Sequence, residues 1–260
     1  MKRTLITPNI NKYPSDAQRL LEGATVYDSS CSSDAEVLFI DKDCGYYLKH
    51  AKKGALSREA VLAEYFNKKG LAPKVLGYFS ISDDFLITER APGEDCTHTD
   101  YISDPKRLCD ITAERLRALH ELDFSDCQIE HTSNYIETAT KNYKSGLYDA
   151  SLFPDNWGYR SVEEAWEIVC KNKDSLKNEV LLHGDYCLPN IMLDNWRFSA
   201  FIDLGNGGVG DRHVDLFWGA WSLFFNLKTD AYRDRFLDAY GRDVIDESKF
   251  ALIAAFEVFG

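Results

Sequence analysis

The sequence predicts an α+β fold with two lobes, and three observations support this. Segments typical of strands are concentrated between 35 and 89 of the 260-residue chain, whereas helical periodicity predominates after residue 105. Between the two regions, 89–93 carries a Pro-Gly pair that neither a helix interior nor a central strand tolerates. Strands followed by helices, in a chain long enough for two small cores, favour a small antiparallel-sheet lobe and a larger, mainly helical lobe. The predicted bounds are 1–89, a hinge at 90–93, and 94–260.

The N-terminal lobe is predicted to contain two hairpins separated by one helix. The helix is predicted from Ser57, as the N-cap, to Lys69, with Gly70 as its stop. Polar turns at 41–45 and 82–84 separate the strands of each hairpin. The predicted strands are Ala35–Ile40, Tyr46–His50, Val75–Ile81 and Phe85–Glu89.

The C-terminal lobe is predicted to be helical apart from two short strands at Ile191–Leu193 and Phe198–Ile202. Apolar residues recur at near-helical spacing across 105–122. The longest apolar run, Leu216–Phe225, is too short to cross a bilayer and predicts a buried helix. The predicted helices are 105–122, 135–147, 161–176, 212–227, 230–240 and 247–259.

Composition narrows the class of partner. With 30 basic and 42 acidic residues, the net charge is −12. An acidic protein is poorly suited to bind phosphate backbones, so no nucleic-acid partner is expected. A negative cleft would concentrate a cationic ligand, although the charge could equally serve solubility alone. The seven cysteines are scattered without a C-x-x-C pair, and no signal peptide or membrane span is apparent, which indicates a cytoplasmic protein with reduced thiols.

The most informative motif is H-G-D-x4-N-x12-D-x-G. It places Asp185, Asn190 and Asp203 beside short strand-like runs, which would fix their spacing. Phosphoryl transfer of the kinase type needs these groups. One carboxylate accepts a hydrogen bond from the attacking hydroxyl, while an amide oxygen and a second carboxylate hold magnesium on the nucleotide phosphates.

The segments HGDYCLPNIM and FIDLG resemble the catalytic and metal loops of the aminoglycoside 3'-phosphotransferases. That family is part of a wider group of small-molecule kinases with a bilobal protein-kinase-like fold. The resemblance extends from about Ser33 to Phe259. It implies a Mg²⁺-dependent transfer from ATP or GTP, with Asp185 orienting and deprotonating the acceptor hydroxyl and with Asn190 and Asp203 as metal ligands.

Lys49 and Glu59 are the candidate phosphate clamp. Lys49 ends a strand-like segment, and Glu59 lies in the first turn of the next predicted helix, which suits a lysine that contacts phosphates and is held by a glutamate. The pattern S-R-E-A supports the pair through the resemblance, whereas two solvent-facing charges would be the ordinary alternative. Glu64 is a weaker candidate partner for Lys49.

The remaining nucleotide-binding candidates are a loop serine, one aromatic ring and the hinge. Ser33 lies in a serine-rich turn that matches the family's phosphate loop, although a plain polar turn is almost equally compatible. The resemblance implies that Tyr47 stacks on adenine, with core packing as the alternative. The backbone of Glu89 and Ala91 is expected to hydrogen-bond the adenine edge.

Three features near the motif have structural interpretations. His183 is expected to brace the catalytic loop from a buried position. Gly205–Gly210 matches G-x-G-x-x-G but lies late in the chain, so a flexible glycine loop beside Asp203 is favoured over a dinucleotide fingerprint. Asp215 is expected to hold this glycine loop through hydrogen bonds.

The resemblance also implies an acidic acceptor site. Family members bind aminosugars through acidic residues, and here the matching positions are Asp149, Asp155, Asn156 and Glu257. Departures occur where the family often carries charged residues: here those positions hold Trp221, Phe225, Asn226 and Phe256. These aromatic rings could stack on the acceptor or pack in the core, and both interpretations stay open.

The sequence therefore predicts a phosphotransferase acting on a small cationic molecule, with an aminoglycoside 3'-hydroxyl as the leading acceptor. A kinase for another small alcohol, such as a choline-like, peptide-antibiotic or metabolite hydroxyl, is the first alternative. A catalytically silent binding protein of kinase shape is the second. A protein kinase is disfavoured because H-R-D, D-F-G and A-P-E segments are absent. A monomer or weak dimer is expected.

Overall fold

The computed structural model describes residues 3–31, 34–149 and 159–260, and the chain divides into two compact units. The first unit combines Met1–Cys96 with Pro189–Asn206, and the second combines Thr97–Leu188 with Gly207–Gly260. The strand pair that follows the catalytic motif thus belongs with the N-terminal residues. The lobe bounds given above stay a prediction.

A six-stranded antiparallel sheet forms most of the first unit, in the order β1-β2-β3-β4-β6-β5. Both predicted hairpins are confirmed, and alternate side chains of their strands enter a core with Leu38, Leu48 and Ile87. The sequence did not predict β1, α1 or β2, which are short and weakly patterned. The elements are β1 Thr4–Ile6, α1 Ser15–Leu21, β2 Thr25–Asp28, β3 Ala35–Asp41, β4 Tyr46–Lys52, α2 Ser57–Lys68, β5 Val75–Ser80 and β6 Asp83–Glu89.

The predicted N-cap of α2 is wrong by one residue. Ser57 is the first helical residue, and Leu56 occupies the cap position without a side-chain hydrogen bond. The Ser57 hydroxyl donates back to Gly54 O at 2.9 Å, while the fully buried Asp84 accepts from the Leu56 N–H at 2.9 Å. A carboxylate from the sheet therefore holds the residue that precedes the helix, and no side chain caps the first turn of α2.

A three-stranded sheet completes the first unit and carries the residues that follow the catalytic motif. Its strands are β7 Glu94–Asp95, β9 Ile191–Asp194 and β10 Arg197–Phe201, in the order β10-β9-β7. Asn195 and Trp196 both have positive φ, 50° and 67°, as a tight two-residue hairpin turn requires. The two strands predicted around this turn are confirmed.

Helices form most of the second unit, and the predicted helices are confirmed to within a few residues at their ends. Two short buried strands, β8 and β11, pair with each other and were not predicted as strands. The elements are α3 Thr99–Ile102, α4 Pro105–His120, α5 Thr132–Lys144, α6 Val162–Asn172, β8 Val180–Leu182, β11 Gly208–Gly210, α7 His213–Leu227, α8 Arg233–Tyr240 and α9 Lys249–Glu257.

The expectation of a flexible glycine loop is wrong for Gly208–Gly210, because these residues form β11 and are buried. A Cβ added at Gly210 would lie 2.6 Å from Leu182 Cδ1, which is far inside van der Waals contact. Gly210 therefore packs closely against β8, and a larger residue here would displace the end of the Leu182 side chain. No helix among the described residues is long and apolar enough to cross a membrane.

Candidate active site

Lys49 lies between two carboxylates in the first unit. Its Nζ is 2.7 Å from Glu59 Oε2 and 2.6 Å from Asp203 Oδ1. Burial opposes the charge on Lys49, but the two carboxylates outweigh burial and raise the pKa of the ammonium. Burial, together with the nearby charge of Asp203, raises the pKa of Glu59 although Lys49 opposes this. The ammonium is thus held charged in a partly buried position that suits phosphate binding.

Regular elements fix each member of this group. Lys49 pairs with Val37 on one side and Leu86 on the other, in the middle of the large sheet. Glu59 lies in the first turn of α2. Asp203 lies two residues after β10 and has φ +60°, a sparsely populated conformation for a non-glycine residue. Such strain is typical of functional positions, where the surrounding structure over-determines the backbone.

Arg58 connects α2 to the loop that carries Asp203. Its Nε donates to Gly205 O at 3.1 Å, two residues after Asp203. Gly205 also lies against Glu59, since a Cβ added there would be 3.6 Å from Glu59 Cβ. The helix that presents the lysine's partner therefore also holds the predicted metal loop. Arg58 lies within the S-R-E-A pattern, but the sequence did not indicate a role for it.

A cavity of about 350 Å³ in the first unit brings most of the predicted nucleotide and metal residues together. This size is within the range of small-ligand sites. The sequence-predicted residues that line it are Tyr47, Lys49, Glu59, Glu89, Ala91, Asn190 and Asp203. Ser33 lies outside the described residues, although its neighbours Ser29 and Cys31 line the same cavity.

Apolar side chains form one wall of the cavity and were not predicted. Met192 and Ile202 belong to a cluster with Ala91 and Ala200, and both line the cavity. Their signal in the sequence was available, since Met192 lies two residues after Asn190 and Ile202 directly precedes Asp203. Strand alternation would have placed Met192 on the same side as Asn190, whereas Ile202 could have been found only as the immediate neighbour of Asp203.

The backbone of the predicted hinge is only partly available to a ligand. The Glu89 N–H donates to Lys74 O and the Arg90 N–H donates to Gly45 O, both at 2.9 Å. These two donors are therefore already bonded within the protein, so the Glu89 N–H is not available to the adenine edge. Ala91 is buried and lines the cavity, and no hydrogen bond from its N–H to another described residue is present.

Tyr47 lines the cavity beside a second aromatic ring. Its ring centroid is 5.2 Å from that of Phe39, tilted by 46°. Arg3 donates to the Tyr47 hydroxyl at 3.0 Å and places its guanidinium 3.7 Å from the Phe39 centroid. Arg3, which the sequence did not single out, therefore orients the ring that was predicted to stack on adenine.

Asn190 and Asp203 offer oxygen ligands at the open end of the β9–β10 hairpin. The Ile202 N–H donates to Asn190 O at 3.0 Å, which brings the two ends of the β9–β10 hairpin together. Both side chains line the cavity, and the Asp203 carboxylate is 51% exposed. Amide and carboxylate oxygens are the ligands that Mg²⁺ prefers, so the donor set fits this ion.

In the second unit, Asp185 lies on a loop held from below by Asp215. The fully buried Asp215 carboxylate accepts from the His183 and Gly184 N–H groups, both at 2.8 Å, and contacts His120 Nε2 at 3.1 Å. These bonds and His120 lower the pKa of Asp215 despite its burial. Asp215 was expected to hold the glycine loop. It holds the catalytic loop instead, because the first turn of α7, which carries Asp215, contacts the backbone of His183 and Gly184.

The rest of the catalytic loop is anchored at two further points. Its Leu188 N–H donates to Ser222 Oγ of α7 at 2.8 Å, and the Tyr186 hydroxyl donates to Thr112 O of α4 at 2.8 Å. The Asp185 N–H donates to Nδ1 of the buried His183 at 3.3 Å. The loop is therefore rigidly positioned, while Asp185 itself is only half-buried.

Glu257 lies in an enclosed position near Asp185. The Tyr135 hydroxyl donates to Glu257 Oε1 at 2.6 Å, and Trp218 donates a second hydrogen bond to the carboxylate. Burial raises the pKa of Glu257 to about 7, the negative charge of Asp185 acts in the same direction, and the two hydrogen bonds oppose it. A carboxyl with this pKa changes charge in the neutral range.

The other predicted acceptor residues are only partly described. The Asp149 N–H donates to Val258 O at 3.0 Å, so Asp149 is placed beside the C-terminal segment that carries Glu257. Asp155 and Asn156 lie outside the described residues. Phe256, one of the aromatic positions whose role the sequence left open, packs in the core, with its ring stacked on Tyr135 at 4.6 Å.

Comparison with known proteins identifies the family. The family model described as the phosphotransferase enzyme family matches residues 27–253. The chain belongs to this family. A probable aminoglycoside 3'-phosphotransferase of Lactococcus lactis is 51% identical over 255 residues, which cover 97% of each chain. The resemblance stated from the sequence is therefore confirmed, and the protein is a phosphotransferase enzyme.

Solved structures agree on the fold. An aminoglycoside 3'-phosphotransferase of type VIII matches with a TM-score of 0.75, at 21% identity and 96% coverage of each chain. The aminoglycoside phosphotransferase APH(3'')-Id of Streptomyces rimosus, in complex with ADP and streptomycin, matches with a TM-score of 0.70 at 20% identity and 91% coverage of each chain. The predicted α+β fold of the protein-kinase-like type is confirmed.

Proposed function

We propose that this phosphotransferase moves the γ-phosphate of ATP to the 3'-hydroxyl of an aminoglycoside, and thereby confers resistance to that antibiotic. The Lactococcus lactis relative, which is 51% identical over nearly its whole length, is named for this activity. Within the chain, the observation that carries the proposal is the group Lys49, Glu59 and Asp203 in one cavity with Asn190.

The residues act through positioning and charge neutralisation. Lys49, held by Glu59, binds the α- and β-phosphates, and adenine lies between Tyr47 and the apolar wall of the cavity. Asn190 and Asp203 hold Mg²⁺, which neutralises the developing charge on the phosphates when it is bound. In the state without nucleotide, Asp203 shares Lys49 with Glu59; phosphate then replaces this contact.

Asp185 orients the acceptor hydroxyl and accepts its proton. Its loop is held at His183, Gly184 and Leu188, so the carboxylate does not have to be ordered when the acceptor binds. General-base assistance of this kind contributes about 10²- to 10⁴-fold to the rate. Acceptor amines are bound by Glu257 and Asp149 through charge-assisted hydrogen bonds.

The nucleotide is proposed to be ATP rather than GTP. The Ala91 N–H is a donor that matches the N1 acceptor of adenine, whereas guanine presents a donor at N1. The neighbour from Streptomyces rimosus contains ADP, which accords with an adenine nucleotide. Competition between the two triphosphates in a single assay measures this preference directly.

The proposal is tested with the purified chain, ATP, Mg²⁺ and kanamycin. We expect one phosphate per kanamycin, with ³¹P–¹H correlation spectra placing it on the 3'-oxygen. Asp185→Asn should abolish turnover and leave nucleotide affinity, measured by calorimetry, unchanged. A chain that binds ATP but phosphorylates no aminoglycoside would be a silent binding protein, and turnover of a choline-like or metabolite alcohol alone would identify the other small-alcohol kinase.

The setting of the enzyme forms part of the proposal. The seven free cysteines suit a reducing cytoplasm, and the net charge of −12 disfavours nucleic acid as a partner. We propose a monomer or weak dimer. Light scattering behind size-exclusion chromatography measures the mass, and expression in a susceptible bacterium with a rise in the inhibitory concentration of kanamycin measures resistance.

A further inference from the structure

Helix α7 carries an aromatic stripe that the proposed mechanism does not use. Trp218, Trp221 and Phe225 follow each other at helical spacing on one side of the helix. The Trp218 and Trp221 ring centroids are 5.4 Å apart at 84°, and those of Trp221 and Phe225 are 5.0 Å apart at 13°. The three rings therefore form one continuous surface.

The stripe is separate from the face of α7 that packs in the core. Leu216, Ala220 and Leu223 are at most 1% exposed and lie on the opposite side of the helix. Trp218 and Trp221 are both partly buried, whereas Phe225 at the end of the stripe is 49% exposed. Packing in the core thus accounts for the opposite face and leaves the outer rings unexplained.

The stripe begins at the catalytic loop. Ser222, which flanks the stripe on α7, accepts from the Leu188 N–H at 2.8 Å. Trp218 donates to Glu257, whose pKa responds to the charge of Asp185. A ligand bound between Asp185 and Glu257 would therefore meet Trp218 first and the outer rings next.

The chemistry of the stripe indicates which part of a ligand it contacts. Trp218–Leu227 contains no acidic or basic side chain. The next residue is Lys228, whose Nζ lies over the Phe225 ring, 4.0 Å from its centroid, so an acceptor ring must displace this flexible side chain to stack on that face. A protonated amine finds no carboxylate on this part of α7, whereas the C–H face of a sugar or aminocyclitol ring is well matched to aromatic faces.

We propose that Trp221 and Phe225 form a stacking platform for an acceptor ring and so determine acceptor specificity. This inference rests on the proposed function. The acceptor's amines are held by Glu257 and Asp149, while a ring beyond the reactive one lies flat against the platform. Acceptors whose outer ring has an unobstructed C–H face are selected over acceptors with an amine at that place.

The test compares Trp221→Leu and Phe225→Leu with wild type in steady-state assays on kanamycin at saturating ATP and Mg²⁺. We expect the KM for kanamycin to rise about 2- to 12-fold in each variant, the range that stacking of one ring on an aromatic face contributes. The kcat and the KM for ATP should change less than about twofold, because neither ring contacts the phosphates.

Two controls separate stacking from damage to the helix. Phe225→Tyr keeps the ring and should retain the wild-type KM for kanamycin. Phe224→Leu removes a neighbouring ring of α7 outside the stripe, and it should also leave that KM within about twofold. Kanamycin titrations followed by tryptophan fluorescence measure affinity without turnover, and thermal melts establish that each variant is folded.

The outcomes distinguish the two proposals. If the wild-type chain phosphorylates kanamycin but neither leucine variant alters KM, the platform does not exist and the proposed function stands. The same conclusion follows if Phe224→Leu raises KM as much as Phe225→Leu does. If the wild-type chain phosphorylates no aminoglycoside, the proposed function fails and the platform fails with it.

Discussion

Glu257→Gln tests the acceptor site through its pH dependence. Glutamine keeps the shape of the side chain and an oxygen that accepts from Tyr135 and Trp218, but it cannot ionise. In the native chain burial raises the pKa of Glu257 to about 7, since the carboxyl group is enclosed even though the residue as a whole is only partly buried. The groups facing it are Tyr135 of α5, Trp218 of α7 and Asp185 of the catalytic loop.

The size of the effect follows from that pKa. A carboxyl of pKa about 7 is roughly 10% ionised at pH 6 and roughly 90% ionised at pH 8. If only the ionised form binds an acceptor amine, affinity for the acceptor rises up to about ninefold between these pH values. At pH 8 the lost charge-assisted hydrogen bond, about 1.5–3 kcal/mol, should weaken acceptor binding in the variant by about 10- to 150-fold.

The assay measures the dissociation constant of kanamycin for both proteins at pH 6, 7 and 8. The acceptor's own amines titrate equally in the two measurements, so the ratio of the two constants isolates Glu257. The dissociation constant of the variant divided by that of the native protein should increase from pH 6 to pH 8. A ratio that stays constant would show that Glu257 does not change its charge there or does not contact an amine.

Stability provides an independent reading of the same group. The unfolded chain releases this proton near the ordinary pKa of 4.5, whereas the folded chain retains it until about pH 7. The native protein therefore loses stability as pH rises from 4.5 to 7, by up to about 3 kcal/mol, and Glu257→Gln escapes this loss. In thermal melts, the melting temperature of the variant relative to that of the native protein should be higher at pH 8 than at pH 5.

Three further predictions concern other parts of the molecule. Asp203→Asn should weaken nucleotide binding in the presence of Mg²⁺ far more than without it, measured by calorimetry; equal weakening in both would remove Asp203 from the metal site. Arg58→Gln should raise the KM for ATP and leave the KM for kanamycin unchanged, because Arg58 holds the Asp203 loop through Gly205 O; an unchanged KM for ATP would refute this. Lys249→Met should cost about 3–5 kcal/mol of unfolding free energy in denaturant titrations at pH 7, because it leaves the buried Asp211 without the ammonium now 2.5 Å away. His213 and Lys249 hold the pKa of Asp211 far below its usual 3.8 despite burial, so this contribution is present above pH 3.8 and declines as pH falls further; a deficit that persists undiminished at pH 2 would contradict it.

The sequence was sufficient where function depends on local spacing. Asp185, Asn190 and Asp203 were found from one motif, and strand alternation placed Tyr47 and Lys49 on one side of a hairpin. These relations span a few residues along a strand or loop, and local backbone geometry fixes them. Lys49 and Asp203 line one cavity, as the predicted nucleotide and metal site requires. The experiments above test the catalytic roles of these residues.

Other features depended on residues distant in the chain. The residue before α2 is held by Asp84 through the Leu56 N–H, and Asp215 supports the catalytic loop rather than the glycine loop. Gly210 was taken for a flexible residue, yet it is buried in β11 and in close contact with Leu182. In each case the hydrogen-bond or packing partner is distant in the sequence, so the pattern of neighbouring residues cannot specify it.

The sequence by itself determined the fold class and the family, and it predicted the phosphate-handling residues, because these follow from periodicity and from a motif of fixed spacing. Only the tertiary structure decided that Arg58 links α2 to the Asp203 loop, that Glu257 is enclosed with a pKa near neutrality, and that Phe256 packs while Phe225 is half exposed. Burial, electrostatic environment and long-range contact depend on which segments fold against one another, and that information exists only once the chain has packed.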